Sequence, residues 1–117
     1  MAVSRTTSFS DTTEVAATTA AAYPKGVFVS ITRSATAADV FVQLWDVANP
    51  TPGTTSPDAS CYIPSASITG GKFTYRFPLP RTYWANGITY FASTTVGGAT
   101  ASTIIDAVQV YYEPAGS

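Results

Sequence analysis

Apolar and polar side chains alternate with a period of two along several stretches of this chain. Val27, Val29 and Ile31 share one face of such a stretch, while Phe28 and Ser30 occupy the other. Alternation over such lengths predicts β-strands with one buried face, and the abundance of β-branched and aromatic residues agrees with strands. The stretches are residues 27–33, 40–46, 72–77, 88–95 and 107–112.

Turn-forming residues separate these stretches. The pairs Gly70-Gly71 and Asn86-Gly87 can supply the positive φ angles that tight turns need, and Gly97-Gly98 closes the stretch after them. Pro78 cannot donate a hydrogen bond to a neighbouring strand, so we expect strand pairing to stop near Phe77.

Several short strands with turns between them, in a chain of 117 residues, predict one domain. We expect a single antiparallel β-sandwich of the jelly-roll or immunoglobulin-like type, with about seven strands and no substantial helix. We expect residues 13–117 to form this sandwich, with an extended strand over 13–21, and residues 1–12 to form an N-terminal arm. Residues 48–58 hold three prolines and are interpreted as a crossover loop between the sheets, although loops of this length are often functional.

The charge of the chain is low and nearly balanced. Charged residues make up 11% of the sequence, and the formal net charge is −1, whereas a typical domain has about 25% charged residues. No block of basic residues is present to neutralise phosphates, so nucleic acid and an anionic membrane surface are not expected partners. Weak charge also gives weak electrostatic steering, so a partner must be held mainly by shape and burial.

The residues for enzyme chemistry are scarce. The chain has no His and a single cysteine, Cys61, which lacks a base to activate it and is expected to be a small buried residue in a short strand. Asp39 and Asp46 flank one predicted strand and Asp58 lies in a loop, so no facing carboxylate pair is specified. We therefore expect no enzyme activity, no metal site and no cofactor.

Large aromatic side chains occur where the alternation predicts an outward orientation. If the Val40, Val42 and Leu44 face is buried, Phe41 and Trp45 point outward, and exposed apolar patches usually mark binding sites. Neighbours in a strand point to opposite faces, so one of Tyr111 and Tyr112 lies in the core and the other is exposed or in a contact. The predicted interface residues are Phe41, Trp45, Tyr83, Trp84, Tyr111 and Tyr112.

A succession of short motifs runs through the middle of the chain. Leu44-Trp45-Asp46 leads to a Pro-Thr-Pro-Gly-Thr-Thr-Ser-Pro loop at 50–57, and Gly70-Gly71, Asn86-Gly87 and an Ala-Ser-Thr-Thr strand at 92–95 follow. This order resembles a group of small virion-associated proteins of tailed bacteriophages and prophages, over residues 39–112. The group tends to have Tyr in place of Trp45 and a Gly-Tyr pair near its end.

The resemblance implies a structural virion protein. It would be a capsid decoration or cement protein that stabilises or coats the head through contacts with the major capsid protein or other virion proteins. A neck or tail-fibre component is an alternative, and so is a carbohydrate-binding sandwich that uses Tyr83 and Trp84 beside Asn86. The first ten residues do not resemble a signal peptide, so we expect assembly in the host cytoplasm and a final place on the virion. A homo-oligomer, with a trimer favoured, is expected because the nearly uncharged surface opposes self-contact little.

Overall fold

The computed structural model describes residues 1–32, 38–65, 68, 72–80 and 82–116. Those residues form eight β-strands and no α-helix. The all-β expectation is therefore confirmed, with eight strands rather than about seven. The strands are β1 (Ala2–Thr6), β2 (Val15–Thr18), β3 (Ala22–Thr32), β4 (Val40–Trp45), β5 (Ala59–Ile63), β6 (Lys72–Pro78), β7 (Ile88–Ser93) and β8 (Ile105–Pro114).

The strands form two four-stranded sheets. Sheet A has the order β1-β8-β3-β6, and sheet B has the order β2-β7-β4-β5. All neighbouring strands are antiparallel. The first strand pairs with the last, the second with the seventh, the third with the sixth and the fourth with the fifth, as if one long hairpin had been wrapped into a sandwich.

The core lies between the inner faces of the two sheets. The alternating apolar residues of β3 and β4 supply its centre, and each of them is fully buried. Burying one such aliphatic side chain contributes about 1.5–3 kcal/mol. The inward faces predicted from the alternation are therefore confirmed for Val27, Val29, Ile31, Val40, Val42 and Leu44.

Residues 1–12 differ from the expected arm. β1 pairs with β8 along its whole length, so residues 2–6 of the expected arm belong to sheet A of their own chain. Its inward hydroxyl groups, on Ser4 and Thr6, both hydrogen-bond with the Tyr90 hydroxyl, at 2.9 Å for Ser4. The alternation rule missed this strand because its inner face meets a buried hydroxyl group rather than an apolar surface.

The turns agree in part with the sequence interpretation. The strand expected over 13–21 is present as β2, and β6 ends at Pro78, next to the expected position. Gly87 has a φ of 95°, a conformation that glycine adopts without strain. The predicted turn at Gly70-Gly71 lies outside the described residues.

Candidate protein interface

The outer face of sheet B is covered by the chain itself around Trp45 and Phe91. Both side chains are fully buried, and together with Ala101 they form a second small apolar cluster. Phe9 packs against this cluster, with its ring centroid 5.8 Å from that of Phe91 in an edge-on arrangement. The loop 46–58 closes the cluster from another side, since the indole Nε1 of Trp45 donates a hydrogen bond to the carbonyl oxygen of Thr55 at 3.0 Å.

Two loops meet above this covered face. Gly53, in the loop 46–58, has a φ of 88°, and a Cβ atom there would lie 3.0 Å from the Cβ of Ala99. The segment that contains Ala99 is held to β7 by hydrogen bonds from Thr94 N to Thr100 O and from Ser102 N to Ala92 O. Glycine at position 53 thus allows the close approach of the loops, which excludes solvent from the outer face.

Gln43 is a polar residue sealed beneath these loops. Its side chain is fully buried, and its Nε2 donates to Ser93 Oγ at 2.9 Å and to the carbonyl oxygen of Gly98 at 3.0 Å. Its Oε1 is buried without a hydrogen-bond partner. The bond to Ser93 joins β4 to β7, and the bond to Gly98 attaches the segment after β7 to the sheet, so Gln43 helps to position that segment.

The prediction that Trp45 faces outward into a partner contact is wrong. The alternation placed it correctly on the outer face of its strand, but the loop 46–58 returns over that face and buries it. Periodicity reports the face of a strand and carries no information about a loop that folds back over it.

Trp84 is also buried and not an interface residue. Its side chain is 9% exposed and belongs to the main core. Two backbone hydrogen bonds with Ala22, of 3.0 Å and 2.8 Å, hold the segment against the start of β3. Tyr83 is 53% exposed and lies against Tyr23, with ring centroids 5.6 Å apart.

Tyr111 and Tyr112 point to opposite faces of β8, as predicted. Tyr112 packs against the main core, and its hydroxyl donates to the carbonyl oxygen of Ala17 at 3.2 Å. Tyr111 lies on the outer face of sheet A, where its ring centroid is 4.8 Å from that of Phe28. Tyr111 is therefore the member of the pair that is available to a partner.

Phe41 lies on the outer face of sheet B beyond the covering loops. It stacks on Tyr62 of the neighbouring strand, with centroids 4.6 Å apart and ring planes 14° apart. Tyr62 is 49% exposed. The six predicted residues are thus divided among three separate surfaces and the interior, and they do not form one site.

The outer face of sheet A carries a different aromatic surface. Arg76 holds its guanidinium carbon 5.2 Å from the ring centroid of Phe28, which in turn contacts Tyr111. Val3 pairs with Tyr111 across β1 and β8 and is 53% exposed. We call this surface the sheet A platform, and its residues are Met1, Val3, Lys25, Gly26, Phe28, Arg76 and Tyr111.

An open depression of about 340 Å³ lies in the platform, lined by all of its residues except Val3. Gly26 of β3 pairs with Tyr111 of β8 and with Pro78 of β6, so the middle strand of the three has no side chain at this position. The aromatic rings and the long side chains around this gap form the walls. Sequence reasoning placed Phe28 opposite the core residues of its strand, and only the pairing of β3 with β6 and β8 brings it to Arg76 and Tyr111.

The aspartates hold loop backbones in place. Asp39 accepts a hydrogen bond from Ser65 N at 2.7 Å, and Asp46 accepts one from Asn86 N at 2.8 Å. Asp58 accepts one from the backbone N–H of Asp46 at 2.7 Å. Within the described part of the chain, no group of three or more His, Cys, Asp or Glu side chains is placed to hold a metal ion.

Cys61 lies buried in β5, on the face that contributes to the main core. Burial raises the pKa of its thiol from 9.0 to about 11, because the low-dielectric interior disfavours the thiolate. The predicted buried placement is confirmed, and a thiol of this pKa is a poor nucleophile near neutral pH.

Comparisons with protein-family models, curated proteins and solved structures found no match to this chain. Nowhere in the described ranges does a helix long and apolar enough to cross a membrane occur. Function must therefore be inferred from the surfaces themselves.

Proposed function

We propose that this chain is a structural virion protein of a bacteriophage, of the capsid decoration or cement type, that attaches to other virion proteins through the sheet A platform. One observation carries the proposal. The chain folds its own loops over Trp45 and Phe91 on the outer face of sheet B, yet on the outer face of sheet A the partly buried rings of Phe28 and Tyr111 line an open depression beside the exposed Val3. Exposed aromatic and apolar groups of this kind mark binding surfaces.

The strand order supports the proposal at the level of fold. We propose that the sandwich is a jelly roll, because it has eight antiparallel strands in two sheets, and jelly rolls occur in viral capsid proteins and in lectins. Fold alone does not decide between such functions, so the choice depends on the surfaces.

A non-enzymatic role is part of the proposal. Asp39, Asp46 and Asp58 are occupied in binding loop backbones, and the Cys61 thiol is buried with a raised pKa. We also propose that several copies, in trimers or around a symmetry axis, occupy the particle, because the low net charge opposes their close approach little.

The carbohydrate-binding alternative is less well supported. It depended on Tyr83 and Trp84 acting together as a stacking surface, but Trp84 is buried in the core and only Tyr83 is open. A sugar ring stacks on an exposed aromatic face, and this segment offers one ring that is already in contact with Tyr23.

The test is binding of the purified protein to emptied heads of the phage that encodes it, measured by co-sedimentation. The double variant Phe28→Ser/Tyr111→Ser should bind at least about tenfold more weakly, since central aromatic anchors typically cost 2 kcal/mol or more. The matched control is Tyr62→Ser, which removes an exposed ring from sheet B and should bind like the wild type. The proposal is wrong if the wild type does not bind heads, or if both variants bind them as the wild type does. Binding to purified tails and not to heads would favour a neck or fibre component.

A further inference from the structure

We infer that the surface which meets the sheet A platform is an acidic segment of a partner protein, with a carboxylate between Lys25 and Arg76 and an apolar side chain on Phe28 and Tyr111. This inference rests on the proposed function, because it names the chemistry of the partner at the same surface.

The charges on this side of the sandwich differ in sign from the charge of the whole chain. The formal net charge of the chain is −1, yet the platform and the adjacent strand β1 carry Arg5, Lys25 and Arg76. Glu113 is the described carboxylate beside the depression, and it lies 3.8 Å from Lys25. Asp106 is three residues from Gln109, the partner of Arg5, and five residues from Tyr111, which is about 16 Å along a strand. It therefore lies near Arg5 and away from Lys25 and the depression, and the three cations still outnumber the two carboxylates.

The arrangement of Arg76 suits a carboxylate. Its guanidinium group lies over the Phe28 ring, and an arginine that stacks on an aromatic face is held in place while its N–H groups stay free to bind. Lys25 lines the same depression. Arginine with a carboxylate forms charge-assisted hydrogen bonds, which are stronger than neutral ones.

The depression adds an apolar component to this charge. Its floor is at Gly26 of β3. Phe28 stands two residues further along the same strand, with Tyr111 on β8 to one side and Arg76 on β6 to the other. A partner segment with an acidic residue next to an apolar one would match both parts. A highly charged but wholly polar segment would leave the aromatic rings uncovered.

The charges also argue against the sheet A platform of a second copy as the surface that covers this one. A twofold contact between two platforms would bring the same patch together from both copies, so Arg5 and Arg76 would meet the arginines of the other copy. Like charges across an interface are costly. An acidic counterpart removes this repulsion and uses the aromatic surface as well.

The experiment is an NMR titration of the ¹⁵N-labelled protein with the acetylated and amidated peptide Glu-Glu-Leu-Glu-Glu. We expect saturable shifts at Lys25, Phe28, Arg76 and Tyr111, and none at Tyr62 on the other sheet. The peptide Lys-Lys-Leu-Lys-Lys should bind at least about tenfold more weakly. Arg76→Gln should raise the Kd of the acidic peptide about threefold or more, as expected for losing one partly exposed charge-assisted contact.

The matched control is Ser60→Glu on the outer face of sheet B. It changes the net charge by the same amount as Arg76→Gln, so it should bind the acidic peptide like the wild type. Equal weakening of both variants would show that only net charge matters, and would overturn the inference. Shifts confined to other residues, or no saturable shift, would overturn it too. Platform shifts that depend on protein concentration without peptide would identify a second copy as the occupant instead.

The head-binding assay separates this inference from the proposed function. If the wild type binds heads, and neither added salt nor Arg76→Gln weakens the binding, the acidic partner is wrong while attachment stands. If the wild type does not bind heads, the virion role is wrong, and the peptide titration still decides the chemistry of the platform.

Discussion

The outer faces of the two sheets are built from similar residues and end in opposite states. Both carry large aromatic side chains opposite a row of buried aliphatic ones, with Trp45 and Phe91 on sheet B and Phe28 and Tyr111 on sheet A. On sheet B these side chains are fully buried beneath loops of the same chain. On sheet A they line an open depression.

The difference lies in where the long connections go. The loop 46–58, the segment after β7 and the segment around Phe9 all return over sheet B, and hydrogen bonds from Trp45 and Gln43 attach two of them. None of these segments covers the centre of sheet A. The same alternation in sequence is therefore found beneath a third layer around Trp45 and Phe91 on sheet B and at an open depression on sheet A.

The largest effect is expected for Trp45→Ala. Truncation of a buried Trp typically costs 3–5 kcal/mol, and this one would also leave the Thr55 carbonyl oxygen without its indole donor. Chemical denaturation should show a loss of about 3–5 kcal/mol in the free energy of unfolding. Trp45→Phe keeps most of the packing and should lose about half as much. A loss below about 1 kcal/mol for Trp45→Ala would mean that the loops do not cover sheet B in solution.

The next largest loss of stability is expected for Gly87→Ala, at the contact between Gly87 and the edge strand β2 of sheet B. Gly87 has a φ of 95°, and a Cβ atom there would lie 2.4 Å from the carbonyl oxygen of Thr18 at the end of β2. Gly87→Ala should therefore cost about 3 kcal/mol through backbone strain and displacement of β2. Gly97→Ala is the matched control, because Gly97 also has a positive φ but nothing within 4 Å of the added atom; it should cost about 1 kcal/mol. Equal losses would contradict the contact with β2.

The inward faces of the strands could be predicted from the sequence because core burial follows the two-residue period. Val40, Val42 and Leu44 illustrate this, since all three are fully buried. The same rule assigned Trp45 to the outer face but did not predict its burial. The polar and proline-rich loop that covers it shows no alternation from which its position could be predicted.

The candidate site was harder to predict than the fold. Tyr111 was identified, because neighbouring strand residues must face opposite ways. Its companions Phe28 and Arg76 come from β3 and β6, and only the strand register brings them together. Strand order in a sandwich depends on long-range pairing, which a local pattern does not specify. β1 was missed for a related reason, since Ser4 and Thr6 face a distant hydroxyl group.

A further prediction concerns the rate of thiol labelling on the two faces of β5, the edge strand that the loops leave uncovered. Cys61 points into the core, while Ser60 and Tyr62 are exposed. Native Cys61 should react slowly with a thiol reagent, and the variant Ser60→Cys/Cys61→Ala should react at a rate close to that of the unfolded chain. Fast labelling of both would show that the sandwich opens at this edge.

The buried Cys61 thiol should also make the free energy of unfolding fall with rising pH in the alkaline range. The pKa of Cys61 is about 11 in the folded chain against 9.0 as the reference value, so between these values the unfolded state ionises first. The free energy of unfolding should therefore fall as the pH rises above 9 and level off above 11. Relative to Cys61→Ala, the wild type should lose about 1 kcal/mol between about pH 8 and about pH 10. A constant difference between the two proteins would contradict the burial of the thiol.

The smallest effect on stability is expected on the sheet A platform, for Tyr111→Ser. The ring is half-buried against Phe28 of β3, and its hydroxyl donates to Gln109 on its own strand at 3.0 Å, so the hydroxyl holds no other element in place. The free energy of unfolding should fall by about 1 kcal/mol or less. A loss as large as that of Trp45→Ala would mean that sheet A depends on its outer aromatic cluster for folding, and the two outer faces would then serve the same purpose. A small loss of stability together with lost particle binding would show that Tyr111 serves a partner on the open face of sheet A rather than the fold of its own chain.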